Sequence, residues 1–338
     1  MERRKILNTT NPILFAGATG IVGQQAIEWF RKIDAKQPIY IGGRKMDVAD
    51  EIAAKAGNAF SLAIDVEQPN LGIDDSIHID AVIMLAPDSG LHGLRFAQNR
   101  KIPYMNIVTG MVEIGAELAE YALKSSAPVL LASHWAAGAA TFLALHLTEQ
   151  FDSVSTINID VVLDPEDIYG PAAFEDMERL QAGVPSVFSY ENGKRKWLIG
   201  DTIHREITTI DGREVVGTSF ASLDTVSLRA VTGAENIRFD IASDVSSLRK
   251  AKGKAAAEII VSATGSKAGI KVTKKLAIEF NKGQSSLTGL CSSLLVNEFI
   301  KKWQSDDMTK LYTPESLGIK PAAFLELLIY HGVKIIEL

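Results

Sequence analysis

Three glycines at equal spacing, Gly17, Gly20 and Gly23, constrain the fold of this chain most. The apolar run PILFA at 12–16 precedes them and is typical of a buried parallel strand. Apolar residues at helical spacing follow over 21–32. A strand that turns through glycines into a helix offers backbone N–H groups and the positive helix end to a pyrophosphate, with no Cβ in the way. The segment therefore predicts a dinucleotide site at the start of an α/β domain.

Strands and helices continue in alternation after this loop. Further short apolar strands are predicted at 38–41, 59–66, 79–87, 102–108 and 127–133. Six short strands alternating with helices predict an α/β fold with a doubly wound parallel sheet of the Rossmann type. We assign residues 1–150 to this dinucleotide-binding domain.

The pattern changes after about residue 152. Alternating apolar and polar residues indicate half-exposed strands, and the Asn-Gly and Asp-Gly pairs at 192–193 and 211–212 predict hairpin turns. We therefore expect a second, largely antiparallel α+β sheet domain over 151–284, for substrate binding or dimerisation, with a helix over 170–183. Helical patterns follow again over 285–338.

Composition narrows the functional classes. A length of 338 residues suits about two domains, and the formal net charge of −6 argues against a general nucleic-acid binder. A single cysteine excludes an intrachain disulfide and a multi-cysteine metal site, and it fits the reducing cytoplasm. Since no apolar stretch reaches bilayer length and no metal-ligand spacing is present, we expect a cytoplasmic protein without metal, membrane or nucleic-acid partners.

The end of the second strand reads GGRKMD and bears on the choice of cofactor. An acidic residue there would bind both ribose hydroxyls of NAD, whereas this chain has Arg44 and Lys45. Cations favour the 2′-phosphate of NADP, although they are also common as solvated surface charges. The sequence therefore predicts NADP(H) over NAD(H). Two further strand ends are expected along the cofactor, Asp65 and Val66 at the adenine edge and Ala86 and Pro87 on the nicotinamide side.

In three places the chain resembles the saccharopine dehydrogenase-like oxidoreductases, the group of saccharopine reductase, lysine dehydrogenase and trans-acting enoyl reductase. GATGIVG with GGR resembles the family's nucleotide loop, and the segment at 80–110 resembles its strand, Ala-Pro, helix and strand ending in Thr-Gly. TGLCSSLLVNEFI and LYTPESLGIKPAAFLELLIYHGVKI resemble its C-terminal helices, which return to the Rossmann domain. The resemblance covers residues 10–145 and 285–338, and the middle domain matches in architecture alone.

The resemblance implies an active site in a cleft between two domains, a homodimer, and a small imine- or amino-acid-like substrate. The positions that match the family's cofactor contacts are Gly17, Thr19, Gly20, Ile21, Val22, Gly23, Arg44, Asp65, Ala86, Pro87 and Thr109. The chain departs from the family after the sixth strand. Where the family commonly reads Ala-Gly-Phe-Asp-Pro-Gly, this chain reads ASHWAAGAA, which keeps Gly138 and lacks the Asp-Pro pair.

His134 in that segment is the best-placed histidine for proton transfer, because open α/β sheets bind ligands at their carboxyl edge. A structural histidine that caps the next helix is the alternative. Short-chain dehydrogenases need a Tyr and a Lys four residues apart on one helix face, and two pairs have that spacing, Tyr190 with Lys194 and Tyr330 with Lys334. Semialdehyde dehydrogenases need a nucleophilic cysteine. Here Cys291 lies in an apolar helical segment and is expected in the core.

Two functional hypotheses follow. The first is an NADP(H)-dependent oxidoreductase that transfers a hydride to or from a C=N, C=O or activated C=C carbon of a small substrate. The second is a non-catalytic, redox-sensing regulator of the NmrA type that binds NADP(H). The large second domain favours the enzyme, and the missing Asp-Pro pair favours the regulator.

Overall fold

The computed structural model describes residues 11–170, 186–305 and 310–338. The chain divides into two compact units. The first unit contains the described residues up to Ser133 and those within Gly289–Leu317, and the second contains the described residues within His134–Thr288 and Gly318–Leu338. The helix predicted over 170–183 lies almost entirely outside the described residues.

The described elements are named here in chain order. The helices are α1 (Ile21–Ile33), α2 (Met46–Ala56), α3 (His92–Arg100), α4 (Ile114–Leu123), α5 (Ala139–Thr148), α6 (Leu223–Thr232), α7 (Ser247–Lys250), α8 (Gln284–Ser305) and α9 (Pro321–Tyr330). The strands are β1 (Ile13–Ala16), β2 (Ile39–Gly43), β3 (Ala59–Ala63), β4 (Ala81–Met84), β5 (Tyr104–Asn106), β6 (Val129–Leu131), β7 (Ser153–Leu163), β8 (Val187–Glu191), β9 (Lys194–Leu198), β10 (His204–Thr208), β11 (Glu214–Ser219), β12 (Asn236–Ser243), β13 (Ala257–Lys267), β14 (Ile270–Phe280), β15 (Leu311–Tyr312) and β16 (Lys334–Glu337).

The first unit is built on a seven-stranded sheet in the order β15-β6-β5-β4-β1-β2-β3. Its neighbouring strands all pair in parallel. The order 3-2-1-4-5-6 within it is that of a Rossmann domain, which confirms the predicted fold. The central strands β1 and β4 are buried along their whole length, because helices cover both faces of such a sheet and apolar side chains suit both. The sequence pattern did not predict β15, the seventh strand.

The second unit contains a mixed sheet with the path β10-β11-β12-β7-β13-β14-β16, and β8 pairs with both β12 and β9. The pairs along this path are antiparallel except for β12 with β7. Both predicted hairpins are confirmed. Asn192 and Gly193 have φ of 50° and 75° between β8 and β9, as a two-residue primed turn requires, and Gly212 has φ 83° between β10 and β11.

The C-terminal region forms α8 and α9 as predicted, but its last residues are a strand and not a helix. Gly332 has φ 91° and ends the helical segment, after which β16 pairs antiparallel with β14. Residues 318–338 group with the second unit. There Phe324 of α9 stacks on Phe142 of α5, with ring centroids 4.1 Å apart.

Among the described residues, none of the helices has the length and apolarity needed to cross a membrane.

Helices α1 and α8 approach closely within the first unit. A Cβ on Gly289 would lie 2.7 Å from the Ala26 nitrogen and 2.8 Å from the Gln25 carbonyl carbon. One turn further along α8, the Ser293 hydroxyl donates to the Ala26 carbonyl oxygen at 2.8 Å. The contact therefore depends on the absence of a side chain at position 289.

We expect Gly289→Ala to lower the free energy of unfolding by about 1–3 kcal/mol, because an added methyl group must push the two helices apart. Thermal and urea unfolding would measure the loss. Gly115→Ala is the matched control, since nothing lies within 4 Å of a Cβ at that position of α4. Equal stability of both variants would contradict the close helix contact.

Cys291 is fully buried in α8, and burial raises the pKa of its thiol. A buried thiol with a raised pKa is a poor nucleophile, which excludes the semialdehyde dehydrogenase chemistry.

We expect Ellman's reagent to leave the native protein unmodified and to titrate one thiol after denaturation, since the chain has one cysteine. Rapid reaction of the native protein would contradict the core assignment.

Candidate dinucleotide site

The turn after β1 requires glycine at position 17. Gly17 has φ 87°, and its N–H donates to the Gly42 carbonyl oxygen at 3.0 Å. A Cβ there would lie 2.7 Å from the Ala86 Cβ. The loop is thus attached to the end of β2 and packed against the residues that follow β4.

The other two glycines of the loop differ in whether the surrounding structure leaves room for a side chain. A Cβ on Gly23 would lie 2.3 Å from the Gly17 carbonyl oxygen, so α1 can pack on the loop only without a side chain there. A Cβ on Gly20 would meet nothing closer than that oxygen at 3.4 Å, and Gly20 is exposed with an ordinary φ of −76°. The protein itself therefore requires glycine at 17 and 23, whereas the space above Gly20 is left open.

Helix α1 begins at this open space with unused donors. Its first intrahelical bond runs from the Gln24 N–H to the Gly20 carbonyl oxygen, so the N–H groups of Ile21, Val22 and Gly23 have no partner within the helix. Gly20 supplies no side-chain cap, and the first turn carries no acidic residue. The positive end of the helix is therefore available to an anion.

The end of β2 lies beside this loop. A Cβ on Gly43 would lie 2.8 Å from the Thr19 Cγ2, which places Thr19 directly over the strand end. Arg44 and Lys45 follow and are exposed. Within the part of the chain that the structure describes, their side chains form no hydrogen bond or ion pair. Both cations are therefore free to meet a ligand beside the loop.

The end of β3 is organised by Asp65. Its carboxylate accepts from the Glu67 N–H at 3.1 Å, and its own N–H donates to the Leu71 carbonyl oxygen. Val66 packs on the core of the first unit. These contacts hold a local turn, and the roles of Asp65 and Val66 toward adenine stay a prediction.

After β4, Ala86 and Pro87 lead to a buried carboxyl group that the sequence analysis missed. Asp88 accepts from the N–H groups of Gly93 at 3.1 Å and Leu94 at 3.0 Å, and so caps α3. The Tyr104 hydroxyl donates to it at 3.0 Å. Burial raises the pKa of Asp88, and these donors oppose the shift.

After β5, Thr109 belongs to a second buried network of hydrogen bonds. The sequence analysis predicted Thr109 as a site residue but not its partners Asn106 and Glu117. Glu117 of α4 is 1% exposed, and Asn106 is fully buried. The Glu117 Oε1 accepts from Asn106 Nδ2 at 2.6 Å and from Thr109 Oγ1 at 3.0 Å. Burial raises the pKa of Glu117, and the same two donors oppose the shift. The available signal was an asparagine at the end of the buried strand YMN.

His134 is buried in the second unit, where its Nε2 lies 2.7 Å from the Ser227 hydroxyl. The next residue, Trp135, donates its N–H to Asp224 Oδ2 at 2.7 Å. Thr141 donates to the other oxygen of Asp224 at 2.5 Å. The segment that departs from the family pattern, Ser133–Ala140, is thus held by polar contacts, and a proton-donor role for His134 stays a prediction.

The Tyr–Lys pairs do not lie on helix faces. Tyr190 and Lys194 are on opposite strands of the β8–β9 hairpin, whereas Tyr330 ends α9 and Lys334 begins β16. The short-chain dehydrogenase arrangement is therefore not formed by either pair. Among the residues described, no group of three or more His, Cys, Asp or Glu side chains could hold a metal ion.

Neither the models of known protein families nor the curated proteins contain a match to this sequence. Solved structures nevertheless share its fold. The apo saccharopine dehydrogenase (L-Glu forming) of Saccharomyces cerevisiae is 11% identical over 97% of this chain and 100% of that chain, with a TM-score of 0.68.

Two further structures match over nearly their whole length. A putative myo-inositol dehydrogenase from Sinorhizobium meliloti is 11% identical over 97% of this chain and 99% of that chain, with a TM-score of 0.52. GenD2 from gentamicin A biosynthesis, solved with NAD, is 12% identical over 100% of this chain and 99% of that chain, with a TM-score of 0.51. These similarities show a shared fold, a Rossmann sheet with a second mixed sheet.

Proposed function

We propose that this protein is an NADP(H)-dependent oxidoreductase. The observation that carries the proposal is the space above Gly20, which the protein's own packing leaves open and which a Cβ would fill. The residues present fit a dinucleotide, because the free N–H groups at the start of α1 would face its pyrophosphate, while Gly17 and Gly23 close the loop beneath. The bound nicotinamide would supply the hydride chemistry.

The preference for NADP rests on Arg44 and Lys45. A guanidinium without an acidic partner, directly after β2, can bind a 2′-phosphate with two hydrogen bonds. An aspartate or glutamate at this position would instead repel that phosphate and bind the ribose hydroxyls.

The substrate class that we propose is a small imine- or amino-acid-like molecule, with hydride transfer to or from a C=N, C=O or activated C=C carbon. The sequence resemblance supports it, together with a fold shared with saccharopine dehydrogenase. His134 is the proposed proton donor or acceptor. We further propose that the protein acts in the cytoplasm as a homodimer, and the reduced state expected of the buried Cys291 is consistent with that compartment.

A non-catalytic regulator of the NmrA type is the second candidate. It is favoured by the environment of His134, whose Nε2 is already engaged with Ser227 in a buried position. Both candidates require dinucleotide binding, and only the oxidoreductase requires turnover of NADPH with an imine or carbonyl substrate. A screen of such substrates by NADPH absorbance separates them.

The pyrophosphate site predicts opposite behaviour for two glycines. Gly20→Ala should fold with wild-type stability but bind NADPH about tenfold or more weakly, because its methyl group enters the ligand space. Gly17→Ala should lose about 1–3 kcal/mol of stability, because both its backbone conformation and its contact with Ala86 are violated. Thermal unfolding and NADPH fluorescence titration measure the two effects.

Gly115→Ala again serves as the control. It should lower neither the thermal stability nor the affinity for NADPH. Wild-type NADPH affinity in Gly20→Ala would contradict the pyrophosphate site. A loss of stability in that variant equal to the loss in Gly17→Ala would contradict the assignment of the open space to a ligand.

The cofactor preference is tested by Arg44→Ala. We expect NADPH binding to weaken by about 1.5–3 kcal/mol, the contribution of a charge-assisted hydrogen bond, while NADH binding stays the same. Arg195→Ala is the matched control, since Arg195 is also exposed and its removal changes the net charge equally. A wild-type protein that binds NADH as tightly as NADPH would refute the proposed role of Arg44.

A further inference from the structure

The buried network after β5 restricts what Thr109 can offer to a ligand. The Thr109 hydroxyl donates its proton to Glu117 Oε1 at 3.0 Å. The Thr109 Oγ1 also accepts a hydrogen bond from Asn106 Nδ2 at 2.7 Å. Asn106 is itself fixed, because its Oδ1 accepts from the Val108 N–H at 2.7 Å. A hydroxyl has one proton and two lone pairs. What remains on the Thr109 oxygen is therefore one lone pair, so Thr109 can only accept a hydrogen bond.

Thr109 lies on the half of the sheet away from the site proposed for the adenosine. This step rests on the proposed function, in which the cofactor crosses the sheet at the β1 loop with its adenosine ribose beside Arg44 after β2. Asn106 is aligned with Met84 in the pairing of β5 with β4, two residues before Ala86. The nicotinamide half of a dinucleotide bound in this direction would face the ends of β4 and β5.

We propose that Glu117 is a positioning residue that holds Thr109 as a hydrogen-bond acceptor for a donor group on the nicotinamide half of the cofactor. Without Glu117, the Thr109 proton could rotate toward the ligand and would compete with the ligand's own donor. Glu117 acts through Thr109, since the contacts described for its carboxyl group are to Thr109 and Asn106.

The burial of Glu117 supports a functional role. Its second oxygen, Oε2, is buried and finds no hydrogen-bond partner among the residues that the structure describes. A carboxyl group buried in this way is unfavourable, and an apolar side chain of similar length would fill the same volume. Asp88, the neighbouring buried carboxyl, differs because backbone and tyrosine donors satisfy both its oxygens.

The test compares NADPH with 2′,5′-ADP, a fragment that carries the adenosine and 2′-phosphate but lacks the nicotinamide half. Titration calorimetry gives both affinities, and thermal unfolding confirms that each variant folds. Thr109→Val should weaken NADPH binding about 3- to 10-fold, the effect of one hydrogen bond, and leave 2′,5′-ADP binding unchanged. Thr109→Ser restores the hydroxyl and should restore NADPH affinity.

Glu117→Met keeps the volume of the side chain but removes the acceptor, and it should reproduce the Thr109→Val pattern. Glu117→Gln retains an acceptor oxygen and should recover most of the NADPH affinity. Because Glu117 acts through Thr109, the double variant Thr109→Val/Glu117→Met should bind NADPH no more weakly than Thr109→Val alone. A merely structural Glu117 would weaken both ligands together and would add its loss to that of Thr109→Val.

Equal weakening of NADPH and 2′,5′-ADP in Glu117→Met, additive losses in the double variant, or wild-type NADPH affinity in Thr109→Val would each overturn this inference while leaving the proposed cofactor site intact. If the wild-type protein bound neither NADPH nor NADH, the proposed function would be overturned, and this inference with it.

Discussion

The contact between the glycine loop and the ends of its neighbouring strands is the constraint on which the site depends. Gly17 touches Ala86 after β4 and bonds to Gly42 in β2, while Gly23 lets α1 pack on the Gly17 carbonyl oxygen. These contacts bring a helix N-terminus and two strand ends to one edge of the sheet. That edge is where parallel α/β sheets bind ligands, because their strands end there and their helices begin there.

Local patterns were sufficient to predict most of the first unit. Short apolar runs predicted β1 to β6, and the signal is strongest for the central strands β1 and β4, which are buried along their whole length and need apolar side chains on both faces. The Asn192-Gly193 turn predicted its hairpin because few residues adopt positive φ readily. By contrast, β15 contains only Leu311 and Tyr312 and exists through its pairing with β6, a partner about 180 residues away. No local pattern can reveal such a strand.

The parts of the candidate site also divide into those with a local sequence signal and those that depend on how the chain packs. Glycine spacing and the cations after β2 are local signals, so sequence reasoning found them. The roles of Asn106 and Glu117 arise from burial and from a bond between a strand end and the following helix. A glutamate in a first helical turn is ordinarily solvated and favoured there by the helix dipole, so its residue type did not distinguish it. Likewise, the contact of His134 with Ser227 joins residues that are far apart in the chain.

The arginines of this protein differ in whether they have acidic partners and in where they lie in the fold. Several arginines of the second unit are held by aspartates: Arg205 by Asp160 and Asp240, Arg213 by Asp211 and Asp244, Arg238 by Asp240, and Arg249 by Asp164. Arg44 differs from these because the described residues provide it with no acidic partner. An unpaired arginine is common on a surface and means little by itself, since solvent screens it well. Arg44 gains significance because it follows β2 at the point where Thr19 meets Gly43, one strand away from the donors of α1. A phosphate on the adenosine ribose of a dinucleotide held by that loop would supply the missing negative charge.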